Sequence, residues 1–300
     1  MGKIISWIKV FRLRTLPLSF SSVILGSFLA YSNGYFIWPV LTGALLTTLF
    51  LQILSNLAND YGDTIHGVDN NERIGPKRGL QSGEITLKEM KGGVITFSLL
   101  SFISGTWLLT SATSGLSVST GFIFLLIGLV AIAAAIKYTI GKNPYGYMGF
   151  GDIAVFIFFG LVGVLGTYYL HSGQIPLEEF LPATSIGLFS TGVLNLNNLR
   201  DRENDRSSGK ITMIVKLGLE KGRIYHAFLL FTGLISALAF TFINYKHPIQ
   251  FIYLITFPLF IRSVLVVFKN TDPALLYPEL KKLALATLAF AITFGLGLIL

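Results

Sequence analysis

The chain has 300 residues, 52% of them hydrophobic and 13% charged, with a net charge of +8 and a mean hydropathy of +0.68. A composition this apolar argues against a soluble globular domain, and the absence of cysteine excludes disulfides, thiolate metal sites and thiol nucleophiles. The positive charge does not point to nucleic acid, because it is confined to alternate connections between apolar runs.

Taken in chain order, Met1 to Pro17 carries Lys3, Lys9, Arg12 and Arg14 with no small-residue cleavage site after it. This pattern predicts an amphipathic interfacial lead-in, not a cleaved signal. Apolar runs then predict nine transmembrane helices at about 16–33, 38–58, 91–110, 118–138, 150–170, 180–197, 225–243, 249–268 and 282–300. Each approaches the ~20 residues that cross a hydrocarbon core. The expected fold is therefore an all-α polytopic membrane protein, one domain over 1–300. Lys and Arg gather before the first span and in or beside every second connection after it; of all 23, Lys246 alone falls on the opposite side. The positive-inside rule then predicts a multi-pass protein of the cytoplasmic (inner) membrane, N-terminus in the cytoplasm and C-terminus outside.

The connections on the opposite side, such as Tyr31 to Trp38 and Ser111 to Ser117, are short and nearly uncharged. Those on the basic side are longer, above all Asp60–Lys91 and Arg200–Arg223. Active-site loops are expected at about 59–91 and 199–224, since long connections in compact proteins are usually binding segments. Each opens on a polar cluster: Asn56, Asn59, Asp60 and Asp63 with Asp69 beyond, and Asn197, Asn198, Asp201 and Asp205. Five of the 15 acidic residues lie here. A faint repeat relates the clusters, each being followed by a glycine (Gly67, Gly209) and basic residues, and the two lie four spans apart, as a parallel repeat requires.

Spacings of three and four put Asn56, Asn59/Asp60 and Asp63 on one helical face, and Asn198, Asp201 and Asp205 on another. An Asp at the bilayer centre costs about 2.5–3.5 kcal/mol, so these acids are expected at the mouth of a polar cavity. Oxygen ligands without Cys or suitably spaced His select a hard cation, Mg²⁺. At about 6 Å and a dielectric near 20, a carboxylate repels each unit of phosphate charge by roughly 3 kcal/mol. A phosphate-bearing substrate therefore calls for a bridging cation, with Arg78, Lys142, Arg206 and Lys210 completing the anion site. The alternative for either cluster alone is a solvated helix cap.

At these residues the chain resembles the UbiA superfamily of intramembrane aromatic prenyltransferases. The family carries Asn-Asp-x-x-Asp-x-x-x-Asp and Asp-x-x-x-Asp motifs on nine helices, arranged as two four-helix halves plus one. Asn59-Asp60-Tyr-Gly-Asp63 matches the start of the first and Asp201-Arg-Glu-Asn-Asp205 the second. The last acid of motif one departs from the pattern, falling at Asp69, six residues after Asp63 instead of four. That longer form resembles the branch acting on naphthoquinol precursors, as do Arg14-Thr15-Leu16-Pro17, the Tyr138 to Tyr147 segment, Gly151-Asp152, Asn197-Asn198-x-Arg200-Asp201, Gly209-Lys210 and Lys216-Leu217-Gly218. Asn143 stands where many relatives have a basic residue.

The resemblance implies transfer of a polyprenyl group from its diphosphate to a dihydroxynaphthoate, with loss of CO2 and diphosphate. Asp60, Asp63, Asp69, Asp201 and Asp205 would hold Mg²⁺, with Asp63, Asp201, Asp205 and Asn59 at the centre of catalysis. Asn56, Asn59, Arg78, Tyr138, Lys142, Asn198, Arg206 and Lys210 would bind diphosphate or acceptor. The implied partners are the polyprenyl diphosphate, an aromatic acid and the bilayer; no nucleic acid and no obligate protein partner are inferred. Tyr138 and Lys142 are equally readable as interfacial anchors, Arg14 as a positive-inside anchor, and Asp152 as a helix cap. The acceptor stays open to 4-hydroxybenzoate, homogentisate or chlorophyllide. A CDP-alcohol phosphotransferase would need an Asp-Gly-x-x-Ala-Arg segment, which is absent. An ion transporter would place its acids near midspan on broken helices.

Overall fold

The structure is a computed structural model in which residues 2–70, 74, 78–112 and 117–300 are described. Residues 71–73 and 75–77 of the first long loop and 113–116 of the Ser111 to Ser117 connection lie outside the described residues. The described chain is helical, with no strand. In order come α1 (Gly2–Phe11), α2 (Leu16–Ser32), α3 (Trp38–Ile65), α4 (Leu87–Ser111) and α5 (Val118–Lys137). Then follow α6 (Gly151–Val155), which runs through the π-helical stretch Phe156–Gly166 into α7 (Thr167–Ser172), and α8 (Phe180–Ser207). The last three are α9 (Met213–Ile243), α10 (Phe257–Lys269) and α11 (Leu276–Ile299).

Among the described residues eight helices are long and apolar enough to cross a membrane, which makes this an integral membrane protein. That is one fewer than expected. The sixth predicted span, 180–197, falls on α8, which at 28 residues is long enough. Its run Asn195-Leu-Asn197-Asn198, on a helix already rich in Ser, Thr and Gly, lowers its apolarity below that of the others. Buried along much of its length against α9, α11 and the π-helical stretch, α8 is shielded by protein, where polar residues cost less than in lipid.

Association of helices in lipid relies on close approach and packing, since lipid is as apolar as the side chains. Glycine supplies the approach. A Cβ on Gly160 would sit 2.7 Å from the Ala183 carbonyl oxygen, and one on Gly187 2.8 Å from the Phe156 ring, so the π-helical stretch meets α8 backbone to backbone. Aromatic rings supply the packing. Phe189, Tyr253, Phe260, Phe290 and Phe294 interlock between α8, α10, α11 and the turn before α10, with centroids of Phe189 and Phe260 4.2 Å apart. Each such pair adds about 0.5–1.5 kcal/mol beyond area burial.

The α3–α5 side is looser. None of the residues of α5 is buried. A cavity of about 360 Å³ lies among α2, α3, α4, α5 and the π-helical stretch, lined by apolar side chains and by Ser19, Thr47, Gln52 and Ser55. It follows α3 from Ala44 to Asn59, a length of about 20 Å at 1.5 Å per residue.

Candidate active site

The first acidic cluster is shaped by how α3 ends. The Gly67 φ of +71° lets the chain reverse in a Schellman motif: the Val68 amide donates to the Asp63 carbonyl at 2.8 Å and Gly67 to Thr64 at 3.2 Å. The Asp69 amide also donates to the Asp63 carbonyl, at 3.2 Å. This reversal brings Asp69 back beside Asp63, which accounts for its longer spacing in the sequence. Arg78 then gathers the acids on one nitrogen. Its Nη1 lies 2.7 Å from Asp63 Oδ2, 2.9 Å from Asp69 Oδ2 and 3.3 Å from Asp60 Oδ1. Arg12, just after α1, pairs with Asp60 as well.

The second cluster ends α8 in the same way. Gly209 has φ +74°, the Lys210 amide donates to the Asp205 carbonyl at 2.8 Å, and Gly209 donates to Arg206 at 3.2 Å. Asp63 and Asp205 are therefore equivalent positions of the repeat, each three residues inside its helix end. Arg200 holds Asp201 with two nitrogens, Nε donating to Oδ1 at 2.7 Å, and reaches Asn197 Oδ1 at 2.9 Å.

The structure brings the clusters together. Asn204 Nδ2 donates to the Val68 carbonyl at 3.0 Å. Lys210 Nζ stands 3.6 Å from Asp63 Oδ1 and 3.9 Å from Asp205 Oδ1. Tyr147 donates its hydroxyl to Asp63 Oδ1 at 2.6 Å and lays its ring under Lys210 at 5.2 Å. Burial opposes the charges of Arg78 and Lys210, yet the neighbouring carboxylates outweigh it and raise both above their ordinary values. Asp205 behaves in the opposite sense: burial, aided by Asp201 and Asp63, pushes it up to about 7 against the pull of Lys210. Its buried Oδ2 has no hydrogen-bond partner.

Not every expected residue is at this centre. The side chains of Lys142 and Arg206 are exposed and make no hydrogen bond or ion pair among the described residues, so neither is tied to the two clusters in this structure. A loop position near a cluster in sequence does not fix where a long side chain points. Asn56 is spent on structure, its Nδ2 donating to the Phe11 carbonyl at 3.0 Å and to Thr15 Oγ1 at 3.2 Å. Asn198 is buried on the second cluster's helix, and Asn59 and Tyr138 line the cavity. Arg12, Arg200, Asn204 and Tyr147 were not singled out for the site. Arg200 and Tyr147 do stand inside segments that carried the resemblance, and that was their only signal. Arg14 has its guanidinium carbon 4.9 Å from the Tyr277 ring centre, and Arg200 lies 5.6 Å from the same centre.

Among the described residues no three acidic or His side chains converge into a ready metal cage; arginines stand between them. The donor set still suits Mg²⁺. It is all oxygen, five carboxylates are present, and the Asp205 Oδ2 is buried and unpartnered.

The model of the UbiA prenyltransferase family matches residues 19–285. The chain belongs to this family. It is 44% identical over 300 residues to the 1,4-dihydroxy-2-naphthoate octaprenyltransferase of Haemophilus influenzae, covering 99% of this chain and 97% of that one. To the enzyme of the same name from Escherichia coli it is 42% identical, covering 98% and 95%. Among solved structures, an apo UbiA homologue from Aeropyrum pernix superimposes with a TM-score of 0.66 at 18% identity, covering 96% of both chains. A homologue from Archaeoglobus fulgidus, bound to DMAPP and Mg²⁺, gives 0.59 at 18% identity over 94% of this chain and 98% of that one. At such identities these two structures speak for the shared helical fold of the family.

Proposed function

We propose that this single-domain protein is a 1,4-dihydroxy-2-naphthoate polyprenyltransferase. It transfers a polyprenyl group from polyprenyl diphosphate to the ring carbon that bears the carboxylate, releasing CO2 and diphosphate and giving demethylmenaquinol. The observation that carries the reading is full-length identity above 40% to two enzymes of that name. The geometry supports it, since the long apolar cavity ends at Asn59, beneath the gathered acids.

In this reading the isoprenoid tail lies along α3 in the cavity, and the diphosphate sits at the acidic end. Asp60, Asp63, Asp69, Asp201 and Asp205 would hold Mg²⁺, which would supply positive charge beside the departing diphosphate. Arg78 and Lys210 are already charged and aimed at these carboxylates, so they exchange a carboxylate partner for a phosphate oxygen without reorganising. Tyr147 fixes the Asp63 carboxylate, and Asn204 ties the second helix end to the first. Charge develops on the leaving oxygen as the allylic C–O bond breaks, and preorganised cations there are where most of the rate enhancement arises. Confinement in the apolar cavity keeps water from the allylic centre until the ring attacks. The distribution of Lys and Arg supports a cytoplasmic active site in the inner membrane, with the N-terminus on the same side and the C-terminus outside.

The test is an assay on membranes containing the protein, with a polyprenyl diphosphate and 1,4-dihydroxy-2-naphthoate. Prenylated naphthol and CO2 are expected in equal amounts, and EDTA should abolish both. Product from 4-hydroxybenzoate alone would overturn the assignment of the acceptor, and undiminished turnover in EDTA would overturn the metal.

A further inference from the structure

The cavity wall made by α2 and α3 carries polar groups that the rest of the fold leaves unused. Ser22, Thr47, Thr48, Gln52 and Ser55 all line the cavity. Their hydroxyls make no hydrogen bond among the described residues, and those of Ser22 and Thr47 are buried. Ser19 donates to Gln52 Oε1, and the Gln52 amide nitrogen has no partner among the described residues. Hydroxyls on the other walls behave differently. Ser101 donates to the Phe97 carbonyl at 2.7 Å, Thr106 to Phe102 at 3.0 Å and Thr167 to Gly163 at 2.7 Å. This is the usual fate of Ser and Thr within a helix, where the carbonyl four residues back is at hand.

The helices set the depth of these groups. Gln52 lies about 10 Å along α3 from Asn59, at 1.5 Å per residue. Because α2 and α3 run in opposite directions, Ser22 and the pair Thr47 and Thr48 both lie beyond the Ser19–Gln52 contact, on the side away from the acids. That second level is about one turn, ~5 Å, from the Gln52 amide, and two oxygens across a six-membered ring are about as far apart. No charged residue lines the cavity, so its donors suit neither a diphosphate nor a carboxylate. An isoprenoid tail has no group to accept from them. A buried donor left unmet is costly, and a wall of them in an apolar cavity calls for a flat ligand with neutral oxygens.

Resting on the reading of this chain as a naphthoate prenyltransferase, we propose that this wall is a subsite for the ring of the prenylated product, occupied once the carboxylate has been lost. The change of charge is what moves the ring. Before transfer the acceptor is an anion and belongs with the cations around the two clusters. After CO2 leaves, the ring is neutral, keeps an oxygen on each side and is joined to a tail that already lies in the cavity. The cations then have no charge to hold. A shift of about 10 Å along α3 sets one ring oxygen against the Gln52 amide and the other against the hydroxyls of Ser22, Thr47 and Thr48. Hydroxyls donate and accept alike, so the same wall takes the ring as hydroquinone or as quinone. The cavity thus has a charged end that selects the substrates and a neutral wall that selects the product.

The test measures binding to the purified protein in detergent with two ligands of one shape, 2-geranyl-1,4-naphthoquinone and 2-geranylnaphthalene, the second lacking the ring oxygens. Ser22→Ala combined with Thr47→Val should weaken the quinone about tenfold, through loss of modest hydrogen bonds, and change the hydrocarbon by less than about twofold. Both ligands meet the same altered shape, so the difference between them isolates the oxygens. If the hydroxyls hold only water or only pack on the tail, the two affinities will move together. That result, or a quinone affinity near wild type, would overturn the subsite. Should the double variant fail to bind the hydrocarbon, Thr47→Val alone takes its place, with about a threefold loss expected for the quinone. A single turnover with labelled geranyl diphosphate identifies the source of the ring. Freshly made label should stay with the wild type through gel filtration and be lost from the double variant. Label lost from both, with added quinone still discriminated, would assign the wall to a ring arriving from the bilayer and overturn the product route. These failures leave the function in place, whereas absence of naphthol product from the wild type would overturn both.

Discussion

The half of the molecule built on α3 and the half built on α8 carry the same acidic helix end on different supports. Both ends close in a Schellman motif around a glycine, with Asp63 and Asp205 in equivalent places. Beyond that they diverge. The α3 end overlooks a cavity and has its acids bound by Arg78, which arrives from a loop. The α8 end is rooted in an aromatic core, has Asp201 clamped by its own neighbour Arg200, and leaves one oxygen of Asp205 unpartnered. One half provides room and a counter-charge borne on a loop, while the other provides a wall packed on an aromatic core. Under the proposed function, a site that admits a long tail and releases a diphosphate needs both.

The comparison is tested hardest by removing the acid at the centre of each arm. Asp63 touches Arg78 and Tyr147 and faces Lys210, so Asp63→Ala should lower kcat/KM by about 10³-fold. Asp201→Ala should come close to it. Initial rates in membranes with matched protein amounts measure both. Retention of activity by either variant would mean that one arm alone holds the diphosphate.

Much of this division was legible in the chain. The apolar runs, the two helix-end clusters and the glycines after them are local features, and the structure places them where the spacing suggested. Even the late position of Asp69, a departure from the motif, follows from a turn that glycine permits. The cation partners were less legible. Arg12 follows the helix that precedes the first span, and Tyr147 comes from the connection between α5 and α6, with two helices between it and Asp63. Nothing local marks such side chains as neighbours of Asp60 or Asp63. The expected span at 180–197 falls on α8, which is less apolar than the eight long helices counted, and a helix shielded by protein has no need to be as apolar as one facing lipid.

The supports themselves can be probed by packing. Phe290 is fully buried and lies edge-on to Phe189, at 5.1 Å between centroids. Phe290→Ala should cost about 4 kcal/mol, seen as a lowered Tm in detergent. Phe124 is half-buried at the cavity wall, so Phe124→Ala should cost less stability and change which prenyl lengths are accepted. Equal thermal losses in the two variants would erase the distinction between a packed half and a roomy one.

The counter-charge borne on a loop predicts a cation-dependent rescue. Arg78→Ala leaves Asp60, Asp63 and Asp69 buried with less compensation, and should destabilise the ligand-free protein by about 3 kcal/mol. Mg²⁺ should restore a larger share of the lost Tm in this variant than it adds to wild type, because it replaces the missing positive charge. Thermal unfolding with and without Mg²⁺ measures this, and an equal Mg²⁺ increment in the two proteins would show that Arg78 and the metal do not share these carboxylates.

The smallest effects are expected where basic residues lie near the clusters in sequence but apart from them in the structure. The side chains of Lys142 and Arg206 are exposed and make no hydrogen bond or ion pair among the described residues, and an exposed charge in water contributes at most about 1 kcal/mol to a nearby anion. Lys142→Ala and Arg206→Ala should therefore change KM for the prenyl diphosphate by no more than about fivefold, with kcat unaltered. Arg206 offers the sharper contrast, because it is one residue from Asp205 yet is exposed where Asp205 is buried. On a helix, adjacent positions are about 100° apart, so sequence proximity to a buried acid argues against sharing its face. A tenfold or larger rise in KM for Arg206→Ala would show that the end of α8 turns when substrate binds, and the second half could then no longer be described as a packed wall.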